Sequence, residues 1–274
     1  MRSGAIDKYF RDTKKIAGWV SYIDAAIFLI LLRSDQPYNN SGNLLEIGVF
    51  EGKSAVLLGQ NLAPGDEFHV CDIFDGETDK KNELEIKSSY PSLSREKFEH
   101  NMIGILDTLP IIHQCLSTEL KGRLGKKSFR FIHIDGSHLY HHVIEDLRYA
   151  SASLIQDIGV IAVDDYRAQH TIGVAAAVWE IIIEGNLVPI AVTPAKIYLV
   201  TPNSIIDIVH FKKNLEFYEL DWVEEEFLGR KVIRIIGLPD ENLYSKGGKL
   251  KSFLPPILTR WIQNSYLWGK IRNL

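Results

Sequence analysis

Asp135 and His138, three residues apart, and the adjacent pair Asp164-Asp165 are the residues of this sequence whose types and spacing best suit chemistry. Three carboxylates with no thiolate beside them make a donor set for a hard, oxygen-preferring cation, Mg²⁺ first and Mn²⁺ or Ca²⁺ next. An imidazole next to such a set takes or gives a proton near neutral pH. Any one of these aspartates is equally well explained as a helix cap. Three of them together with His138 are not, and the choice at this point is among a metal site, a substrate anchor and the start of the next helix.

The elements that must position them are legible in the pattern. Phe129–Asp135 and Gly159–Asp164 are short apolar runs that each end in carboxylates. Between them Val143, Leu147, Ala150 and Leu154 recur at helical spacing. That is a strand–helix–strand unit, and open parallel sheets bind ligands at the carboxyl ends of their strands. Upstream, Leu44–Gly48 reads as a buried first strand running into Gly52, Ser54 and a helix over 55–61. Glycines at such a turn let backbone approach a ligand. The spacing Glu46-x-Gly48-x-x-x-Gly52-x-Ser54 is not the dinucleotide fingerprint. Asp72 ends a second strand over 67–71, where an acid suits ribose hydroxyls or simply faces solvent. A third strand over 110–115 leads to Ser117.

The remainder frames this core. Residues 1–13 read as polar and mobile, and 14–32 as one packed helix. The polar stretch near 76–93 reads as a lid or insertion, followed by a helix over 94–106. After a helix over 174–184, Val188–Val192 and Lys196–Val200 form an antiparallel pair. Residues 206–240 hold a further hairpin or edge element, with Val232-Ile-Arg-Ile-Ile as a strand. Residues 245–274 carry six Lys or Arg and no acidic residue, interleaved with Trp261, Ile262, Tyr266 and Leu267. Such a tail docks on its own domain or touches an anionic membrane or a partner.

Composition removes several classes. A formal net charge of -4 argues against nucleic acid, whose phosphates demand a basic face. Two cysteines, Cys71 and Cys115, both in apolar runs, make no disulfide framework and imply a reducing, cytoplasmic setting. No secretory signal or clean membrane span is read: Asp24 interrupts the apolar stretch over 16–32.

Three phrases carry a resemblance: Leu45-Glu46-Ile47-Gly48-Val49-Phe50-Glu51-Gly52-Lys53-Ser54, Ile134-Asp135-Gly136-Ser137-His138, and Val163-Asp164-Asp165-Tyr166 with Gly173-Val174 after it. Their order over residues 18–200 resembles class I S-adenosylmethionine-dependent methyltransferases, in particular the metal-dependent branch that methylates macrolide and aminocoumarin sugars, with cephalosporin-hydroxylase-like relatives. The resemblance implies a Rossmann-like α/β fold: a mostly parallel seven-stranded sheet, helices on both faces and an antiparallel C-terminal hairpin. It implies that Glu46, Gly48, Gly52 and Ser54 shape the methionine end of the cofactor pocket, that Asp72 meets the ribose and that Ser117 lies near the adenine. It further implies that Asp135, Asp164 and Asp165 hold Mg²⁺ or another divalent cation, and that His138 is the catalytic base beside Asp135.

The organisation expected is an N-terminal helical cap (1–40), a cofactor-binding catalytic domain (41–202) and a C-terminal extension with the basic tail (203–274). The activity expected is O-methyl transfer to a sugar or other small hydroxylated acceptor, and the resemblance implies relatives that often self-associate. Three other readings stay open. Catechol-type enzymes share the layout but tend to carry Asp-Asn after the fifth strand and a lysine where His138 stands. A non-catalytic cofactor-binding module would not need the acid–base set. An iron oxygenase could use His133-x-Asp135, but such sites usually sit in all-β folds. His133 itself reads as a hydrogen-bonded core residue, His141 and His142 as ordinary neighbours of the site, and His170 as facing the substrate.

Overall fold

The computed structural model describes residues 3–32, 41–76, 78, 83, 86, 87 and 89–237. The basic tail over 245–274 and most of the lid stretch lie outside the described residues. Nine strands form one sheet: β1 (Asn43–Ile47), β2 (Phe68–Asp72), β3 (Ile111–Gln114), β4 (Phe129–Ile134), β5 (Val160–Val163), β6 (Val188–Val192), β7 (Ile197–Val200), β8 (Trp222–Phe227) and β9 (Arg230–Ile235). Their order is β3-β2-β1-β4-β5-β7-β6-β9-β8. The first five are mutually parallel, and β7 runs antiparallel to both β5 and β6.

The seven strands expected are therefore present, and two more extend the sheet. β9 pairs in parallel with β6, and β8 closes the edge as its hairpin partner. The chain past Pro202 thus continues the same sheet through residue 237. The added edge is charged: Glu224, Glu225 and Glu226 line β8, the short, polar form that discourages further pairing.

Successive residues of the central strands feed two cores. Leu44, Phe131, Val160, Ala162 and Tyr198 face one, whereas Leu45, Ile132, Ile161, Val163 and Leu199 face the other. Helices cover both faces: α1 (Ser3–Asp12), α2 (Tyr22–Leu32), α3 (Lys53–Gly59), α4 (Arg95–Leu106), α5 (Leu120–Leu124), α6 (Tyr140–Ser153), α7 (Ile172–Ile183) and α8 (Ile208–Phe217). A helix that is apolar all round must be enclosed, and α2 is. Its Phe28 meets Phe131, His133 and Tyr198 edge-on, and the helix also contacts α8.

The N-terminus differs from the expectation. Residues 3–12 form α1, with Ile6 and Tyr9 buried, rather than a mobile polar lead. The helix expected over 14–32 is broken, because Gly18 sits at φ +133, outside helical geometry. Trp19 is consequently 64% exposed instead of packed. No helix among the described residues is long and apolar enough to cross a membrane.

Candidate active site

The sheet reverses direction of travel between β1 and β4, and the two strand ends meet closely there. Gly48 adopts φ +82, and a Cβ on it would fall 2.1 Å from the backbone oxygen of Asp135. Only glycine permits that approach. Its N–H donates to Cys71 O at 2.8 Å, while Asp135 N donates to Ile47 O at 2.8 Å, so the two parallel ladders persist up to the junction. A cavity of about 130 Å³ opens beside it, lined by Gly48, Phe50, Asp72, Tyr90, Ser117, Asp135 and His142 among others.

Of the expected cofactor residues, Gly48, Asp72 and Ser117 line this cavity and Glu46, Gly52 and Ser54 do not. Asp72 is turned onto the glycine loop. Its Oδ2 accepts the N–H groups of Val49 (2.8 Å) and Phe50 (3.0 Å), and Oδ1 accepts that of Phe74 (2.8 Å). A carboxylate has about four acceptor positions, so roughly one remains for a ribose hydroxyl. Phe50 attains this geometry at φ +48, a strained value for a non-glycine residue. Its ring stands with Tyr90 (5.2 Å between centroids) and Trp19 (6.1 Å) at the cavity. Gly52, at φ +92, turns the chain into α3 against the Phe98 ring.

Glu46 lies within the sheet, fully buried, with Oε1 2.7 Å from Nδ1 of His133, its neighbour in register on β4. Burial pushes the Glu46 carboxyl up to about 8, with Ser54 pulling the other way. His133 continues the row: its Nε2 is 3.0 Å from Lys196 Nζ. Lys196 is ammonium, since Asp164, Asp135 and Asp24 outweigh burial and raise its pKa. It therefore donates to Nε2, and Nδ1–H donates to Glu46. Burial and the Lys196 charge hold His133 neutral. With both ring nitrogens committed, His133 has no lone pair for iron, and the oxygenase reading loses its first ligand.

Asp135 shares a possible cation group with each of the paired aspartates: with His133 and Asp164 on one side, and with His138 and Asp165 on the other. Asp164 gives Oδ2 to the Lys196 ammonium and Oδ1 to the Asp165 N–H at 2.8 Å. Asp165, at φ +57, turns the other way and places Oδ2 3.1 Å from Nε2 of His138. Single donor atoms of Asp135, His138 and Asp165 all lie within 4.8 Å of one another. The two carboxylates offer oxygen donors to a hard divalent cation that completes its shell with water, and the imidazole stands beside them. Burial first, then Asp164, drives the Asp135 carboxyl well upward, so this oxygen set is short of positive charge. His138, beside Asp165, helps hold that carboxyl down despite burial.

The other histidines sort as follows. His170 faces His138, ring to ring at 6.3 Å, and His142 lines the cavity with Nδ1 2.8 Å from Ser137 Oγ. Lys196 escaped the sequence reading. Its one signal was a lysine opening an otherwise apolar strand, which a surface turn explains equally well.

A parallel sheet ordered 3-2-1-4-5 with a reversed β7 beside β5, a glycine-bent first loop and an acid ending β2 define a class I methyltransferase fold. A family profile described as a methyltransferase domain matches residues 45–166, so this segment is similar to methyltransferase domains. Among solved structures, the O-methyltransferase NovP is similar at TM-score 0.53 and 20% identity, over 65% of this chain and 80% of that one. A putative O-methyltransferase from Klebsiella pneumoniae gives 0.48 at 17% identity, over 72% and 89%. TomG, an O-methyltransferase from Streptomyces achromogenes, gives 0.46 at 17% over the same shares. At these identities the likeness is one of fold. No curated protein matches the chain.

Proposed function

We propose that the protein transfers the methyl group of S-adenosylmethionine to a hydroxyl oxygen of a sugar or another small hydroxylated acceptor, assisted by a divalent cation. The observation that supports this is that Asp135, whose donor atom lies within 4.8 Å of those of His138 and Asp165, also lines the cavity that Gly48, Asp72 and Ser117 line. When bound, S-adenosylmethionine would supply an electrophilic sulfonium methyl, and Asp135 and Asp165 would hold a cation able to lower the pKa of an acceptor hydroxyl. Gly48 gives the backbone clearance the cofactor needs, and Asp72 offers its remaining acceptor position to a ribose hydroxyl. His138 takes the proton from the acceptor, with Asp165 orienting the ring and supporting the imidazolium that results. The walls of Phe50 and Tyr90 keep water from the transfer. Absence of a lysine three residues after Asp135 turns the preference from catechols to aliphatic hydroxyls. A reducing cytoplasmic setting goes with this reading, as Cys71 and Cys115 are both free thiols.

The test is release of S-adenosylhomocysteine with a panel of nucleoside-diphosphate sugars and catechols, with and without Mg²⁺. His138→Ala is expected to lower kcat by about 10²–10⁴-fold while S-adenosylmethionine affinity holds within about threefold. Retained turnover in that variant would remove His138 from the proton transfer.

A further inference from the structure

A fully buried ammonium is costly unless its charge is met, and Lys196 is 2% exposed. It stands at the head of β7, with Asp164 just past the end of the neighbouring β5. The turn that delivers it is fixed from two sides. Thr193 Oγ1 accepts the Lys196 N–H at 2.8 Å, and Thr193 N donates to Lys196 O at 2.8 Å. The same hydroxyl donates to Asp24 Oδ1 of α2 at 2.8 Å, which Tyr198 OH also reaches at 3.0 Å. On its far side the ammonium rests on His133, itself locked by Glu46. Glu46 and His133 on β1 and β4, Asp164 just past β5 and Lys196 just before β7 thus form one row, buried except for the half-buried Asp164.

We propose that Lys196 is the resident cation of the rim: its ammonium holds Asp164 in place and excludes a divalent ion from that carboxylate. The ammonium takes one lone pair of Asp164 Oδ2 and the Asp165 N–H one of Oδ1, and within a few ångströms in a poorly screened site the repulsion between an ammonium and a metal ion weakens binding of the latter. The external ion is left with Asp135 and Asp165, whose donor atoms lie within 4.8 Å of each other beside His138. Lys196 is a positioning residue and touches no reacting atom. The inference rests on the reading of the rim as a methyl-transfer site that accepts a divalent ion.

The experiment measures Mn²⁺ binding by electron paramagnetic resonance, Mn²⁺-induced change in Tm, and S-adenosylmethionine binding by calorimetry, on the full chain. Lys196→Met, which keeps the stem and removes the charge, is expected to bind Mn²⁺ at least tenfold more tightly than wild type, through Asp164. Asp164→Asn alone is expected to leave the Mn²⁺-induced Tm change as it is in wild type, zero included. Should Lys196→Met fail to fold, that second comparison decides the matter. Equal or weaker Mn²⁺ binding by folded Lys196→Met, or a Tm response lost in Asp164→Asn, overturns the inference. A merely structural lysine would lower Tm without tightening Mn²⁺. Cofactor affinity, read in parallel, separates the two claims: its absence in wild type sinks the methyl-transfer reading, whereas its persistence with the wrong Mn²⁺ pattern sinks only this inference.

Discussion

Asp146 shows how a single buried group sets a cost on the fold. It projects from α6 into the interior at 1% exposure, and neither carboxylate oxygen finds a hydrogen-bond partner within geometric limits. Burial drives its pKa up to about 7, partly offset by Ser117. The folded state therefore holds a proton that the unfolded chain releases near the ordinary carboxylate value. Between those two pH values the folded state binds more protons, so stability falls as pH rises and levels off above about 7. Asp146→Asn is expected to abolish this loss: no gain at pH 3.5, growing to a ceiling of about 4 kcal/mol at pH 8. Urea denaturation at several pH values measures it, and a pH-independent difference would contradict it. The same logic explains what could be read from sequence at this scale. Asp135, His138 and Asp165 were visible because strand ends and residue type place them together. Lys196 and the commitment of both His133 nitrogens were not, because they depend on which strands become neighbours. The Lys196 partner of Asp164 was hidden for the same reason: it lies 32 residues away in the chain.

At the scale of elements, the junction of β1 and β4 carries the site. The close approach at Gly48 is a contact between backbones, so no side-chain adjustment can relieve an added Cβ. Gly48→Ala is expected to cost at least about 3 kcal/mol and to abolish cofactor binding. Gly65 is the internal control, with φ +91 but nothing within 4 Å of a built Cβ. Gly65→Ala should cost only the backbone strain, about 1–2 kcal/mol. Equal costs in denaturant titrations would show that strain alone, and not the strand junction, limits position 48. The strands themselves were legible because parallel strands buried on both faces are written as unbroken apolar runs. The break at Gly18 was not, since Ile16, Trp19, Val20 and Ile23 mimic helical spacing across it.

For the whole molecule, the sheet extends past the seven strands the motifs implied. Residues 203–237 supply α8, whose Phe211 and Leu215 are buried, and β9, whose Ile233 pairs with Ala191 on β6. Ending the chain after residue 202 would strip α2 of that helix and leave β6 as a bare apolar edge. Such a truncation is expected to aggregate, whereas ending at 237 keeps every described element; sedimentation of the two proteins distinguishes the cases. A soluble, cofactor-binding 1–202 fragment would contradict it. The sequence hinted at this strand through Val232-Ile-Arg-Ile-Ile, but a parallel return to β6 leaves no local signature.

The reading proposed places S-adenosylmethionine in the cavity at the β1–β4 junction, with Asp135 on its wall and His138 outside its lining. Calorimetric titration of S-adenosylmethionine into wild type, Asp72→Ala and His138→Ala tests it most directly. One-to-one binding by wild type, weakened at least about tenfold in Asp72→Ala and unchanged in His138→Ala, is the predicted result. No binding by wild type, or equal affinity in wild type and Asp72→Ala, would contradict it.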